Sequence, residues 1–330
     1  MRPSWAQPGS GVLLTGATLL LLLLLLLLHL PNRPPGPSSL SFAWRARPRS
    51  PPAGPYPHPY PFLLNHPDKC RGPRGAPFLL LLVLTEVRDV AVRQAVRRTW
   101  GDEGGVPGAH LLRLFLTGLP PPPFAEPLQD QLAEEDARYG DLLQQGFRDT
   151  YQNLTLKTLM GLEWVTRFCP GARYVLKVDG DVFLNPTYLV RLLRAHPQRD
   201  FITGHVYRGT GPLRDPAYKW YVPRELYPPD TYPPYCGGPG YVMSGHLARR
   251  VFAAAQTVPL INMEDSFVGL CLQRLGVEPT EPPEGAFHVF RRDYERCAFA
   301  RLVLVHHFGP RELLALWPDF LAANRTCPDP

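Results

Sequence analysis

The stretch Tyr174-Val-Leu-Lys-Val-Asp-Gly-Asp-Val-Phe-Leu-Asn185 decides how this chain is read. Tyr174 to Val178 is apolar and β-branched enough for a buried strand. It runs directly into Asp179-Gly180-Asp181, and a second apolar run, Val182 to Leu184, follows at once. Acids set between buried segments must be hydrated, paired or metal-bound, because an unpaired buried carboxylate is costly. Residues i and i+2 of an extended chain point to one side, so Asp179 and Asp181 can face a single cation. Oxygen ligation suits a hard ion such as Mg²⁺ or Mn²⁺. Taken alone, Asp-Gly-Asp also reads as a solvated turn, so its neighbours decide.

Working outward, Phe78 to Leu84 is a continuous apolar run, the mark of a strand covered on both faces. Val90 to Trp100 has helical spacing, Leu111 to Leu116 is strand-like, Glu126 to Tyr139 reads as an acidic surface helix and Leu142 to Phe147 as a strand. Leu154 to Phe168 is a long amphipathic helix leading to Tyr174. Such alternation predicts an α/β fold with a mixed, mostly parallel sheet flanked by helices. Ligands of such sheets gather at the carboxyl ends of strands, where Asp179 and Asp181 fall. Farther on, Phe201 to Val206 is strand-like and Arg208 to Tyr235 is a loop rich in Pro, Gly, Trp and Tyr. Leu247 to Ala255 and Ser266 to Leu275 read as helices, Leu302 to Val305 as strand and Arg311 to Leu321 as a last helix.

Several residues can carry chemistry. Arg93 and Arg97 lie at i and i+4 on one helix face, and guanidinium forks match phosphate oxygens; an exposed basic face is the alternative. Lys157 and Lys177 are further anion-binding candidates, and Lys177 needs a partner because it sits inside an apolar strand. Tyr232-Pro-Pro-Tyr-Cys-Gly-Gly-Pro-Gly-Tyr-Val-Met-Ser244 reads as a glycine-rich turn leading into an apolar segment, without the ending of a phosphate-cradling loop. Its glycines let a flat ligand approach the backbone, and Tyr235 can stack on a sugar face. Met263-Glu-Asp-Ser-Phe267 puts two acids at a helix start, as caps or as a general base. Val305-His306-His307-Phe308 ends a strand in imidazoles, structural or metal-binding.

The chain has 330 residues, 45% of them hydrophobic, with 41 prolines and a formal charge of +6. The arginines are scattered, which argues against nucleic acid as a partner. Residues 1–11 read as a cytoplasmic tail and 12–30 as an uncleaved signal-anchor helix, close to the ~20 apolar residues a bilayer needs, with a cleaved signal peptide as the alternative. Residues 31–69 read as a proline-rich stem and 70–330 as the folded body. Arg33, Arg45, Arg47 and Arg49 follow the span, against the usual positive-inside bias. The side is set instead by two N-glycosylation acceptors, Asn153 and Asn324, and by six dispersed cysteines that fit an oxidising lumen. Six cysteines allow fifteen pairings, among which the sequence does not choose.

Together these blocks resemble the β-1,3-glycosyltransferases of glycosyltransferase family 31. The resemblance rests on Arg93-Gln-Ala-Val-Arg-Arg-Thr-Trp-Gly101, Asn153-Leu-Thr-Leu-Lys-Thr158, Lys177-Val-Asp-Gly-Asp-Val-Phe183, Tyr232-Pro-Pro-Tyr-Cys-Gly-Gly238 and Glu264-Asp265 with Val268-Gly-Leu-Cys271. The middle stretch, with Lys219-Trp-Tyr-Val-Pro223, is most similar to β-1,3-galactosyltransferases acting on N-acetylglucosamine. Enzymes transferring N-acetylglucosamine or N-acetylgalactosamine are close behind, and a sugar-binding relative without catalysis is the remote alternative. One departure is Gly180, where the family usually has Asp, Ser or Thr.

The resemblance implies a GT-A fold in a single-pass type II Golgi membrane protein with a luminal catalytic domain. It also implies Mn²⁺ (or Mg²⁺), a UDP-sugar donor and a GlcNAc-terminated glycan acceptor. It suggests Asp181, Asp179 and His306 at the metal and Asp265 as base. Arg93, Arg97, Lys157, Lys177 and Asp179 are then expected near the nucleotide diphosphate, with Trp220, Tyr235, Gly237, Gly238 and Glu264 in the acceptor pocket. A glycosidase would need two carboxylates flanking one bond at ~5–9.5 Å, which the chain neighbours Glu264 and Asp265 cannot supply.

Overall fold

The structure, a computed structural model, describes residues 60–323 and Cys327. The expected signal anchor over 12–30, the stem up to residue 59 and the acceptor Asn324 lie outside the described residues. Among the described residues no helix is long and apolar enough to cross a membrane.

The core is a seven-stranded mixed sheet. Its central strand β2 (Leu79–Leu84) is wholly buried. Leu79, Leu81 and Val83 enter one hydrophobic cluster and Leu80, Leu82 and Leu84 another, the period of two that a strand covered on both faces requires. Strands β3 (Leu111–Leu119), β4 (Leu142–Arg148) and β5 (Tyr174–Asp179) run parallel with β2 in the order β4-β3-β2-β5. Three antiparallel strands complete the edges: β1 (Phe62–Leu64) beside β4, then β8 (Tyr235–Ser244) beside β5 and β7 (Ile202–Tyr207) beside β8. A second, three-stranded sheet holds β6 (Val182–Leu184), β10 (Leu304–His306) and β9 (Phe287–His288).

Helices cover both faces. Against one lie α3 (Leu154–Phe168), α5 (Gly245–Ala255) and α6 (Glu264–Leu275), through Leu156, Met160, Val251 and Phe267. Against the other lie α1 (Val90–Arg98), α4 (Pro186–Arg194) and α8 (Pro310–Ala323), through Val96, Leu189, Leu193 and Phe320. Helix α2 (Ala125–Tyr139) is mostly exposed and α7 (Arg296–Phe299) is one turn. Helix α4 starts where Asn185 accepts a hydrogen bond from Tyr188 N and Pro186 takes the first turn.

Two expectations change. The body starts by Tyr60 rather than Cys70, because β1 joins the sheet and Tyr60 packs edge-on against Phe147 at 5.9 Å. Tyr235 to Ser244 forms a ten-residue strand rather than a turn, and its glycines make room for packed side chains, since a Cβ would stand 2.5 Å from Leu304 Cδ1 at Gly240 and 2.9 Å from Tyr207 Cε2 at Gly237. Four of the six cysteines pair, as Cys70–Cys169 and Cys297–Cys327, while Cys236 and Cys271 are buried free thiols.

A buried charge cluster fixes α1 against α2. Arg93 is fully buried and donates to Glu135 from Nε at 2.9 Å and from Nη2 at 2.6 Å. Arg97 donates to Glu135 Oε1 at 2.6 Å and to Asp141 Oδ1 at 2.7 Å, and Arg113 donates to Asp141 Oδ2 at 2.7 Å. Such a cluster contributes little net stability while intact, but removing one partner strands a buried charge. Glu135→Ala is therefore expected to cost about 3–5 kcal/mol of unfolding free energy in urea titrations. A loss under about 1 kcal/mol would show that the guanidinium groups find water instead.

Candidate active site

Strand β5 ends at Asp179, and the chain turns through Gly180 and Asp181 into β6. A Cβ on Gly180 would stand 2.6 Å from Val92 Cγ1 and 3.1 Å from Thr85 Cγ2, so the turn packs against α1 with no room for a side chain. The departure at this position thus has a local steric cause. Trp100 Nε1 donates to Val182 O at 3.0 Å, and Phe308 N donates to Asp181 O at 2.8 Å, pinning the turn from both sides.

The antiparallel pairing of β6 with β10 sets Val182 opposite His306. His306 Nε2 consequently lies 3.3 Å from Asp181 Oδ1. His307 follows at φ +68°, a left-handed conformation uncommon outside glycine, and stacks on His306 with ring centroids 3.8 Å apart. Ligand atoms of Asp181, His306 and His307 all lie within 4.8 Å of one another. Two imidazoles and a carboxylate form a donor set that favours a transition ion such as Mn²⁺ over Mg²⁺. Burial works against the charge on His306, but the hydrogen bond it donates to Asp181 outweighs it and lifts its pKa above 6.5. Burial would raise Asp181, yet the same bond and the His306 charge pull it below 3.8.

Asp179 does not join that group. Its Oδ1 accepts from Lys177 Nζ at 2.8 Å. The Lys177 ammonium also donates to Gly238 O at 2.5 Å and sits 3.4 Å from Glu264 Oε2. Burial opposes its charge, but Asp179 and then Glu264 prevail and hold its pKa above the ordinary value. Glu264 is itself buried and accepts from Tyr241 Oη at 2.5 Å. Its next neighbour, Asp265, is the freer acid. Asp265 Oδ2 accepts from Gly238 N at 3.1 Å and Oδ1 from Ser266 N at 2.8 Å. Burial raises the Asp265 pKa above 3.8, and those backbone donors and Lys177 only moderate the rise.

Asp179, Asp181, His306, His307 and Asp265 line one cleft of about 950 Å³, within the range of small-ligand sites. Of the other sequence-predicted residues, Lys157, Lys177, Trp220, Tyr235, Gly238 and Glu264 line it too. Trp220 is exposed at its rim, whereas Tyr235 is buried and accepts from Thr210 Oγ1 at 3.2 Å. Two expectations are corrected, the one for Arg93 with Arg97 and the one for Gly237. Arg93 and Arg97 do not line the cleft, because their guanidinium groups are consumed by Glu135 and Asp141. Lys157 lies in the wall but is committed to Asp149 at 2.6 Å and to Thr85 O at 2.8 Å. Gly237 is set back against Tyr207 and Val289. Asn153, the other glycosylation acceptor, is buried and its Nδ2 donates to Arg148 O at 2.8 Å. Sequence reasoning carried only His306 of the imidazole pair to the metal, leaving out His307, and passed over Lys219 as a cleft residue. The His-His pair at a strand end was the available signal for the first.

Comparison with known proteins bears on what this cleft serves. Residues 91–283 match the family model described as galactosyltransferase. β-1,3-Galactosyltransferase 2 of Mus musculus is 41% identical over 260 residues, covering 78% of this chain and 61% of that protein. β-1,3-Galactosyltransferase 1 of Mus musculus is 40% identical over 262 residues, covering 78% of each. The chain thus spans 61% of the length of the first of these relatives. Among solved structures, the galactosyltransferase LgtC with donor and acceptor sugar analogs has a TM-score of 0.37 at 12% identity, covering 76% of this chain and 97% of that one. A mannosyltransferase from Pyrobaculum calidifontis in complex with GDP-Man and Mn²⁺ scores 0.38 at 13% identity, covering 68% of this chain and 58% of that one. Both structural likenesses are distant. With the family model matching over more than half its length and relatives at 40–41% identity, the chain belongs to the galactosyltransferase family.

Proposed function

We propose that this protein transfers galactose from UDP-galactose to the 3-hydroxyl of a β-linked N-acetylglucosamine, inverting the anomeric carbon with a single carboxylate base. The observation that carries the reading is one cleft holding the Asp181–His306–His307 donor set together with Asp265, a half-buried acid of raised pKa. An inverting transfer needs one proton acceptor, and a pKa moved toward neutrality suits that task. Glu264 cannot share it, since Tyr241 and Lys177 occupy its oxygens.

Asp181, His306 and His307 are the residues that would hold the divalent ion, which when bound stabilises charge on a departing diphosphate. Asp265 takes the acceptor hydroxyl proton on a carboxylate oxygen. The N–H groups of Gly238 and Ser266 orient that carboxylate. Lys177 holds the Gly238 carbonyl and so helps fix the residue whose N–H is one of those donors. Trp220, exposed at the rim, offers an apolar face on which a sugar ring can stack.

The body is read as a GT-A-type domain facing the Golgi lumen from an anchor over residues 12–30. Its two disulfides suit an oxidising compartment. The apolar run from Val12 to Leu30 suits the anchor.

With Mn²⁺ and a β-GlcNAc acceptor, UDP release from the full-length chain is expected to be fastest with UDP-galactose among UDP-galactose, UDP-GlcNAc and UDP-GalNAc. Asp265→Asn should lower kcat by about 10²–10⁴-fold while UDP still binds; near-normal turnover would place the base elsewhere. The pH dependence follows from the same group. Asp265 works as the carboxylate, and its folded pKa is raised, so kcat/KM is full above that pKa and falls as pH drops through it. The acid limb should therefore lie above 3.8 and vanish in Asp265→Asn. A limb at or below 3.8 contradicts the assignment.

A further inference from the structure

A diphosphate leaving group carries more negative charge than one divalent ion offsets, so a second cation in the cleft would stabilise its departure further. The cations that the sequence offered for this are spent. Arg93 and Arg97 lie outside the lining, Lys157 is bound to Asp149, and Lys177 is bound to Asp179. Among the described residues lining the cleft, Lys219 is the only lysine or arginine with no carboxylate within 4.0 Å.

Lys219 is exposed, and its ammonium stands 4.8 Å from the centroid of Trp220 and 5.3 Å from that of Tyr151. Cation–π contact with two rings positions an ammonium without neutralising it. Lys219 lines the same cleft as Asp181, His306 and His307. The segment that carries it is braced. Arg214 donates to Val222 O, Tyr227 O and Pro229 O, and Asn262 Nδ2 donates to Tyr221 O at 3.1 Å, tying the segment to the residues just before Asp265.

We propose that Lys219, steadied by Tyr151 and Trp220, is the residue that binds the diphosphate of a nucleoside-diphosphate donor beside Asp181, His306 and His307. The inference rests on the donor reading above and adds the residue that supplies the second positive charge. Removing that charge should weaken the diphosphate and leave the nucleoside alone.

The test uses the full-length chain with Mn²⁺, isothermal titration with UDP and NMR titration with uridine. Lys219→Gln should weaken UDP binding about tenfold with uridine affinity unchanged, and Lys219→Arg should restore most of the UDP affinity. Equal UDP affinities for Lys219→Gln and the unaltered protein overturn the proposal. So does an equal loss for uridine and UDP, which would assign Lys219 to packing of the loop. Failure of the unaltered protein to bind UDP at all overturns the donor reading itself, and with it this assignment. Lys219 is exposed and free of ion pairs among the described residues, so neither variant threatens the fold.

Discussion

The ammonium of Lys177 is the constraint on which the cleft depends. It is buried near the end of β5 and bonded to an acid of its own strand, to the Gly238 carbonyl of β8 and to the first acid of α6. Burying a charge is tolerable only when it is paired and hydrogen-bonded. The three elements must therefore meet at one point for the chain to fold. Because Gly238 also donates its N–H to Asp265, the clamp that satisfies a buried lysine also fixes the orientation of the freer acid. Stability and site geometry are here the same set of bonds.

Charge is sorted by depth around that point. Arg93, Arg97 and Arg113 are sequestered with Glu135 and Asp141 between α1, α2 and β3, where they hold the wall behind the cleft. Asp181 is left half-exposed, with His306 beside it, so these groups can exchange their mutual contact for a ligand at modest cost. The three-stranded sheet serves this purpose. Pairing β6 with β10 carries two imidazoles from near the end of the chain to the acid–glycine–acid turn, and the hydrogen bond donated by Phe308 N to Asp181 O locks the register.

Much of the sheet was legible because apolar runs with a period of two state their own burial, as Leu79 to Leu84 does. The turn after Val178 was legible for the same reason, since acids between buried runs need a partner. What was not legible was the identity of the partner. The i, i+4 spacing of Arg93 and Arg97 correctly places them on one helix face, but nothing local reveals that Glu135 and Asp141 converge on that face from some forty residues away. The i, i+2 rule likewise put Asp179 and Asp181 on one side, yet Lys177 claims Asp179 and only Asp181 reaches the imidazoles. Strand β8 was hidden because Gly237, Gly238, Pro239 and Gly240 read as a turn, although the side chains of Leu304, Tyr207 and Val289 packed over the strand leave no room for a Cβ at Gly240 and little at Gly237.

The central claim is that Asp181, His306 and His307, rather than the two acids of the turn, form the cation site facing Asp265. Diffraction from crystals grown with Mn²⁺ and UDP, recorded at the manganese absorption edge, addresses it directly. The account predicts an anomalous peak bonded to Asp181 and at least one of the two imidazoles, with Asp179 still held by Lys177. A peak shared by Asp179 and Asp181 with Lys177 displaced, or one lying away from the histidines, would contradict it.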